Sequence, residues 1–309
     1  MSGRGLTDED LERYSRNILL PQVGVAGQKK LLASSALVVG AGGLGSAALS
    51  YLAAAGIGRI GIADGDRVEL SNLNRQVLHG AADVGRPKVE SAREAVLAIH
   101  PACRVEVIGR RLTGETVRRT VRGWEVVLDA ADNFPTRFIV SDACWLEEVP
   151  LVSAGVVGFQ GQLLTVLPKA DSPCYRCLIP EPPTDPFTAT CAQAGVLGAA
   201  VGVLGSLQAV EAIKVLLGIG HGFERRLFVY NALEGKVRVL HRAKDPACAL
   251  CGPKATITDV LEYRATCCPG GVCGPDGCCV PAGQYARPYW AEDPPRKPKE
   301  SARKRGRKG

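Results

Sequence analysis

A glycine loop set between a short apolar strand and an alanine-rich helix constrains this 309-residue chain more than any other feature. Residues Ala36 to Val39 read as the strand, Gly40-Ala41-Gly42-Gly43-Leu44-Gly45 as the loop, and the residues up to about Ala55 as the helix, closed by Gly56. A second strand, Arg59 to Ala63, ends in Asp64. Glycines spaced as Gly40-x-Gly42-x-x-Gly45 let the backbone approach a phosphate, and the helix N-terminus behind them favours anions. Asp64 falls about twenty residues further on, where an acid can hold ribose hydroxyls. The unit signals a nucleotide site without naming the nucleotide. A tight turn with no ligand is the plainer alternative.

The same alternation continues along the chain. Helices are expected over Thr7 to Leu20, Pro87 to His100, Glu115 to Val121, Pro135 to Glu147 and Val196 to Leu217. Thr7 and Asp10 form a capping-box pattern on the first, and Pro21 and Gly24 end it. Strands are expected at Arg104 to Val107, Glu125 to Leu128, Leu151 to Val152, Gln162 to Leu167, Leu227 to Tyr230 and Lys236 to Leu240. This order predicts an α/β fold. It is Rossmann-like and doubly wound, with a mostly parallel sheet, antiparallel C-terminal strands and helices on both faces. No internal repeat is visible.

Composition sets the boundaries of that reading. A hydrophobic share of 46% supplies a sizeable core. Past Cys251 the chain turns Cys/Gly/Pro-rich and then basic, so a folded domain over residues 1–252 and a disordered tail over 253–309 are expected. The net charge of +7 points first to nucleic acid. Yet residues 286–309 hold nine Lys/Arg and three Asp/Glu, which leaves 29 basic and 28 acidic residues elsewhere. The basicity belongs to a solvated tail, with weak salt-dependent contact to RNA, DNA or an acidic partner as its alternative. The apolar run from Ala194 to Leu207 meets Gln208, Glu211 and Lys214 and reads as a buried core helix, not a bilayer span. Met1 to Asp10 holds no apolar leader, and a cytoplasmic location is expected.

The charged residues after the loop favour a triphosphate. Asp66, Ser71-Asn72-Leu73-Asn74-Arg75-Gln76 and Lys88 follow Asp64. A dinucleotide needs little beyond the helix terminus, whereas a triphosphate with about four negative charges wants cations on it. Arg75 and Lys88 suit that task, although each alone also suits a solvated surface. Asp129 and Asp132 follow a strand at the carboxyl edge, where open α/β sheets bind ligands. A carboxylate there can hold Mg²⁺ on phosphates, and a helix cap ahead of Pro135 is the alternative for Asp132. Among twelve cysteines, Cys174, Cys177, Cys248 and Cys251 form two CxxC pairs that suit a closed, tetrahedral, structural zinc. Cys191 precedes a long helix, where a thiol can be a nucleophile or simply a buried small residue. Cys103 and Cys144 read as core.

In combination these segments are familiar. RYSRN at Arg13 to Asn17, GAGGLG at Gly40 to Gly45, DGD at Asp64 to Asp66, SNLNRQ at Ser71 to Gln76, GRPKVESA at Gly85 to Ala92, DAADN at Asp129 to Asn133, CYRC at Cys174 to Cys177, TCAQAGV at Thr190 to Val196 and the pair at Cys248 resemble the MoeB/ThiF/HesA family. These are bacterial relatives of ubiquitin-activating enzymes, and the likeness leans to molybdopterin-synthase adenylyltransferases. It covers residues 7 to 251.

The resemblance implies MgATP, zinc and a ubiquitin-fold sulfur carrier ending in Gly-Gly. The carrier's carboxylate attacks the α-phosphate, pyrophosphate leaves, and sulfur then replaces AMP. By position, Gly40, Gly42, Gly43 and Gly45 line the phosphates and Asp64 holds ribose. Asp66, Ser71, Asn72, Arg75, Gln76, Lys88 and Asn133 join the nucleotide site, and Asp132 holds Mg²⁺. Arg16 reaches a partner subunit's ATP, which implies a homodimer. Cys191 matches a cysteine that some members link to carrier or sulfur. A sulfurtransferase or cysteine desulfurase would supply the sulfur.

Two departures stand out. Asn17 replaces an expected Gln. The stretch from Ile257 to Tyr263 resembles the lead into a rhodanese domain, yet too few residues follow for one; Cys267, Cys268, Cys273, Cys278 and Cys279 stand there instead, either a sulfur relay or second metal site, or a disordered remnant. Thiamine, cysteine and tRNA-thiolation carriers, or a peptide C-terminus, are alternative substrates to a molybdopterin-type carrier. An NAD-dependent oxidoreductase and a non-catalytic nucleotide-binding scaffold are the distant readings.

Overall fold

The runs Ser35–Val39 (β1) and Val126–Asp129 (β4) are buried at every position, the pattern of central strands covered on both faces. The computed structural model describes residues 5–182 and 195–261. Around β1 and β4 lie Arg59–Ala63 (β2), Arg104–Ile108 (β3), Leu151–Val157 (β5), Gln160–Val166 (β6), Arg226–Asn231 (β7) and Lys236–His241 (β8). They form one 8-stranded sheet in the order β3-β2-β1-β4-β5-β6-β7-β8. Pairing is parallel from β3 to β5 and antiparallel from β5 to β8. Val39 pairs with both Ala63 and Asp129, so three strands end together at one carboxyl edge.

The helices are Asp8–Arg13 (α1), Ser15–Ile18 (α2), Gly24–Ala33 (α3), Gly43–Ala54 (α4), Lys88–Ile99 (α5), Gly114–Val121 (α6), Phe134–Leu146 (α7) and Gly198–Leu217 (α8). Side chains alternate across the sheet. Ala36 and Val38 enter one core with Leu49, Leu52 and Leu204, while Leu37 and Val39 enter a second with Phe138, Val140 and Tyr175. α4 is apolar on most sides because it lies against α8 as well as the sheet. Gly205 permits that approach, since a Cβ there would come 2.3 Å from the Leu44 oxygen.

The elements differ from the sequence reading in places. The helix expected over Thr7 to Leu20 breaks at Tyr14, whose ring is 2% exposed and packs edge-on to His100. The Thr7–Asp10 capping box forms. Gly24, expected only to end a helix, has φ +57 and opens α3, which the sequence reading lacked. β5 is a seven-residue strand forming a hairpin with β6. α8 has 20 residues and is long and apolar enough to cross a membrane by length and composition, but half of its most apolar window is buried and Gln208 and Glu211 lie within its buried face. Beyond residue 252, Ile257 and Val260 still pack on the second core. Cys191, the loop beyond residue 182 and the tail with Cys267, Cys268, Cys273, Cys278 and Cys279 lie outside the described residues.

Candidate active site and metal centre

Three positions of the loop at the carboxyl edge, Gly40, Gly43 and Gly45, admit little but glycine. Gly40 has φ +100, and a Cβ there would sit 2.7 Å from the Ala130 oxygen. A Cβ on Gly45 would lie 1.9 Å from the Gly40 oxygen. One on Gly43 would come 2.7 Å from Val201 Cγ1, with the Arg75 oxygen at 3.2 Å. At Gly42 a Cβ would meet only Gln76 Nε2, at 3.6 Å. α4 begins at Gly43 with no side-chain cap, so its first N–H groups stay open to an anion.

Asp64 joins this loop to the end of β2. Its Oδ2 accepts from the Ala41 N–H at 2.8 Å and its Oδ1 from the Asp66 N–H at 2.8 Å. Asp66 is exposed between Lys88, at 3.3 Å, and Arg111, at 3.4 Å. Lys88 is buried along its stem, so Asp66 is the counter-ion a phosphate has to compete with. Asn72 is turned inward: its Oδ1 accepts from the Glu69 N–H at 3.0 Å, and its backbone oxygen accepts from the Arg75 and Gln76 N–H groups. The Ser71 hydroxyl donates to Glu69 at 3.1 Å. Arg75 donates to the Ser71 oxygen and to Asn74 Oδ1, and has no acidic partner among the described residues. Gln76 is 4% exposed, and its buried Oε1 has no donor among the described residues.

Two acids at the end of β4 part company. Asp129 is fully buried, accepting from the Ala131 N–H at 3.1 Å and the Ser153 hydroxyl at 2.7 Å. Asp132 is exposed and, among the described residues, accepts only from Asn133 Nδ2, at 3.3 Å. The cap of α7 is Asn133, whose Oδ1 accepts from the Thr136 N–H at 2.9 Å. Asp132 is therefore not the cap, and it is the acid of the pair presented at the edge. One carboxylate beside a phosphate cradle suits Mg²⁺, which keeps several waters and takes few protein ligands.

Arg16 stands apart on α2, which packs on α3. It is exposed and makes no hydrogen bond or ion pair with any described residue. None of the contacts joining the other site residues includes it. The sequence reading missed His79, which bridges the Ala41 oxygen at 2.9 Å and the Ser91 hydroxyl at 2.8 Å beneath the loop. A buried histidine leaves no spacing signal to find it by.

At the opposite edge, beyond the end of β6, the four cysteines converge. Their Sγ atoms lie within 4.8 Å of one another, with Cys174–Cys177 at 3.9 Å, Cys174–Cys248 at 3.5 Å and Cys177–Cys251 at 3.3 Å. A tetrahedral zinc with Zn–S near 2.3 Å separates its sulfurs by about 3.8 Å, so the set fits such an ion. Four cysteine ligands would fill every position of such an ion and leave none open for substrate. Arg242 braces it, donating to the Cys174 and Thr165 oxygens, each at 2.8 Å. Burial pulls the Arg242 guanidinium down to about 10, and the nearby thiols act the other way. Arg176, between the ligands Cys174 and Cys177, forms a two-pronged pair with buried Asp142 at 2.8 Å on each prong.

A doubly wound sheet with an uncapped glycine cradle, a guanidinium without an acidic partner among the described residues and an edge carboxylate is the arrangement of a nucleotide-binding α/β protein. This chain belongs to the ThiF family, whose model matches residues 14–250. It is 46% identical over 265 residues to the sulfur carrier protein adenylyltransferase of Thermus thermophilus, covering 84% of this chain and 98% of that protein. It is 47% identical over 263 residues to the adenylyltransferase and sulfurtransferase MOCS3 of Bos taurus, covering 85% of this chain but 58% of that protein. Among solved structures, E. coli MccB with MccA-N7isoASN superposes with a TM-score of 0.69 at 24% identity, over 78% of this chain and 75% of that one. That likeness is one of fold.

Proposed function

We propose that this protein is an ATP-dependent adenylyltransferase that activates the C-terminal Gly-Gly carboxylate of a ubiquitin-fold sulfur carrier. The observation that carries the reading is the gathering at one sheet edge of the glycine cradle, the Arg75 guanidinium, without an acidic partner among the described residues, and the exposed carboxylate of Asp132. Its relatives named adenylyltransferases support it. A nicotinamide dinucleotide gains little from Arg75 and Lys88, and a pyrophosphate leaving group gains much.

In this reading the N–H groups of Gly42 to Gly45 take phosphate oxygens. Asp64 and Asp66 face the ribose, with Ser71 and Asn133 at the rim. Asn72 offers its amide nitrogen, and Gln76 its orphaned Oε1, to the nucleotide. Arg75 and Lys88 hold the charge that moves onto pyrophosphate as the carrier carboxylate attacks the α-phosphorus. The chemistry is one of alignment and charge neutralisation, with no proton to abstract from a carboxylate. Mg²⁺, when bound, would neutralise phosphate oxygens, and Asp132 is the residue that would hold it. Zinc in the four-cysteine set would pin the segment after β7 and β8 to the loop after β6.

The wider reading follows the same support. A homodimer is proposed from exposed Leu19, Leu20, Tyr51, Val203 and Val210 on α2, α4, α8 and their flanks, with Arg16 beside them. Cys191 would carry sulfur or carrier in the later step, supplied by a sulfurtransferase or cysteine desulfurase. A cytoplasmic setting keeps the four thiolates reduced. Residues 1–252 would form the catalytic domain and 253–309 a tail. A molybdopterin-type carrier is favoured.

ATP–pyrophosphate exchange with purified Gly-Gly carriers tests the reading. Exchange that depends on one carrier and falls at least about 100-fold in Asp132→Ala is expected. Tight ATP binding without exchange for any carrier would overturn it in favour of a peptide-modifying enzyme or scaffold.

A further inference from the structure

Arg137 is absent from the sequence reading, yet it occupies the junction behind the candidate metal carboxylate. It lies in the first turns of α7 and is buried. One nitrogen, Nη2, donates to the Ala131 oxygen at 2.7 Å and to the Ala154 oxygen at 2.9 Å. Its Nε lies 3.6 Å from Asp129 Oδ2. Asp129 in turn accepts from the Ala131 N–H. Both polar groups of Ala131 are thus held, the N–H by Asp129 and the carbonyl by Arg137. The Ala131 carbonyl shares a planar peptide with the Asp132 nitrogen, so fixing one fixes the plane from which Asp132 departs.

The neighbouring strand is shaped for this guanidinium. β4 pairs with β5 only as far as Asp129 with Ser153, so Ala154 and Gly155 run past the end of β4. Arg137 takes the place of that missing ladder on Ala154. Gly155 leaves the space it needs: a Cβ there would come 2.9 Å from Nη1 and 3.2 Å from Nη2. On the far side, Gln208 of α8 donates to the Asp129 oxygen at 2.8 Å and the Val152 oxygen at 3.1 Å. A buried cation is costly even when paired, and an apolar side chain would fill the same space without that cost. What arginine adds is a rigid fork that sets several acceptors at once.

We propose that Arg137 is a positioning residue: it locks the Ala130–Asp132 turn to β5 and so holds the Asp132 carboxylate where the metal–nucleotide complex is gripped. The proposal rests on the metal role given to Asp132 above. Two variants of the full chain test it. Arg137→Lys keeps the charge but loses the fork. Gly155→Ala keeps Arg137 and its pairing with Asp129 but pushes the guanidinium aside, which covers the case in which the first variant fails to fold. The readout is Mn²⁺ affinity of the ATP-saturated protein, from free Mn²⁺ in electron paramagnetic resonance titrations, beside ATP affinity in EDTA.

Mn²⁺ affinity about 10–100-fold weaker in the folded variants, with metal-free ATP affinity within about twofold of the parent, is expected. The maximal exchange rate falls with it while the KM for carrier holds. Parental Mn²⁺ affinity in folded Gly155→Ala, against a weakened Asp132→Ala control, would overturn the positioning role alone. Parental affinity in Asp132→Ala itself would remove the metal reading and this proposal together.

Discussion

Gly42 and Gly45 serve different ends, three residues apart. A Cβ on Gly45 would strike the Gly40 oxygen at 1.9 Å, whereas one on Gly42 meets a side-chain nitrogen at 3.6 Å and is otherwise open. Gly45→Ala is expected to cost about 1–3 kcal/mol of folding stability, since backbone must shift. Gly42→Ala is expected to keep stability within about 0.5 kcal/mol and to lose ATP affinity, because its methyl occupies the phosphate approach. Urea midpoints beside calorimetric ATP titrations separate the two. Normal ATP binding by Gly42→Ala would mean that the loop is no phosphate cradle. At this scale the sequence was readable wherever a residue type is forced by geometry, as with the glycines and the four cysteines. Position after the strand alone could not rank Asp129 against Asp132, because both follow it; only the family resemblance singled out Asp132. Burial of Asp129 against Ser153 of the neighbouring strand and Arg137 of the following helix separates them, and neither contact is written in the spacing of the two acids. Nor could it show Asn133 taking the cap.

The elements were legible where hydrophobic pattern and punctuation agree. β2 was expected over Arg59 to Ala63 and forms there, and α5, α6 and α7 lie within a residue or so of their expected bounds. α3 was missed because its packing buries little beyond Gln28 and Leu31, too sparse for a helical stripe. The break at Tyr14 is likewise tertiary in origin. The Tyr14 hydroxyl lies 3.4 Å from His100 Nδ1, and Arg13 caps the end of α5 through the Ile99 oxygen at 3.1 Å. Burial first, and then the Arg13 charge, hold the His100 imidazole below its ordinary value. The unfolded chain therefore takes up a proton near pH 6.5 that the folded chain resists, and this share of stability is lost as pH falls from there through the lower folded value. The chain is expected to lose urea resistance between pH 7.5 and 5.5 more steeply than His100→Asn. Equal slopes would show that the Tyr14 socket does not sense the proton. The segment this socket anchors carries Arg16, so its loosening would also lower exchange activity at acid pH.

At the scale of the whole molecule, the two ends of the sheet divide the labour. The four thiols sit at the edge opposite the glycine cradle, so a metal held there would brace the body without touching a nucleotide at the cradle. Arg16 makes no contact among the described residues with those gathered at the cradle, so the role proposed for it requires a second copy of the chain. It projects instead beside apolar Leu19, 70% exposed, and Leu20, 52% exposed. In the proposed dimer, two copies related by a twofold axis would present the same face to each other, so each would lend Arg16 to the other. This arrangement has a signature that no monomer can give. Arg16→Ala alone and Asp132→Ala alone are each expected to abolish pyrophosphate exchange. Mixed after subunit exchange, half the dimers are hybrids, and each hybrid holds one site with both residues intact. Equal mixing should therefore restore about one quarter of the parental activity. Recovery that rises with the time allowed for subunit exchange, and is absent when the dimers are cross-linked first, places Arg16 across the interface. No recovery between variants that demonstrably form hybrids would return Arg16 to its own subunit's site or to the surface.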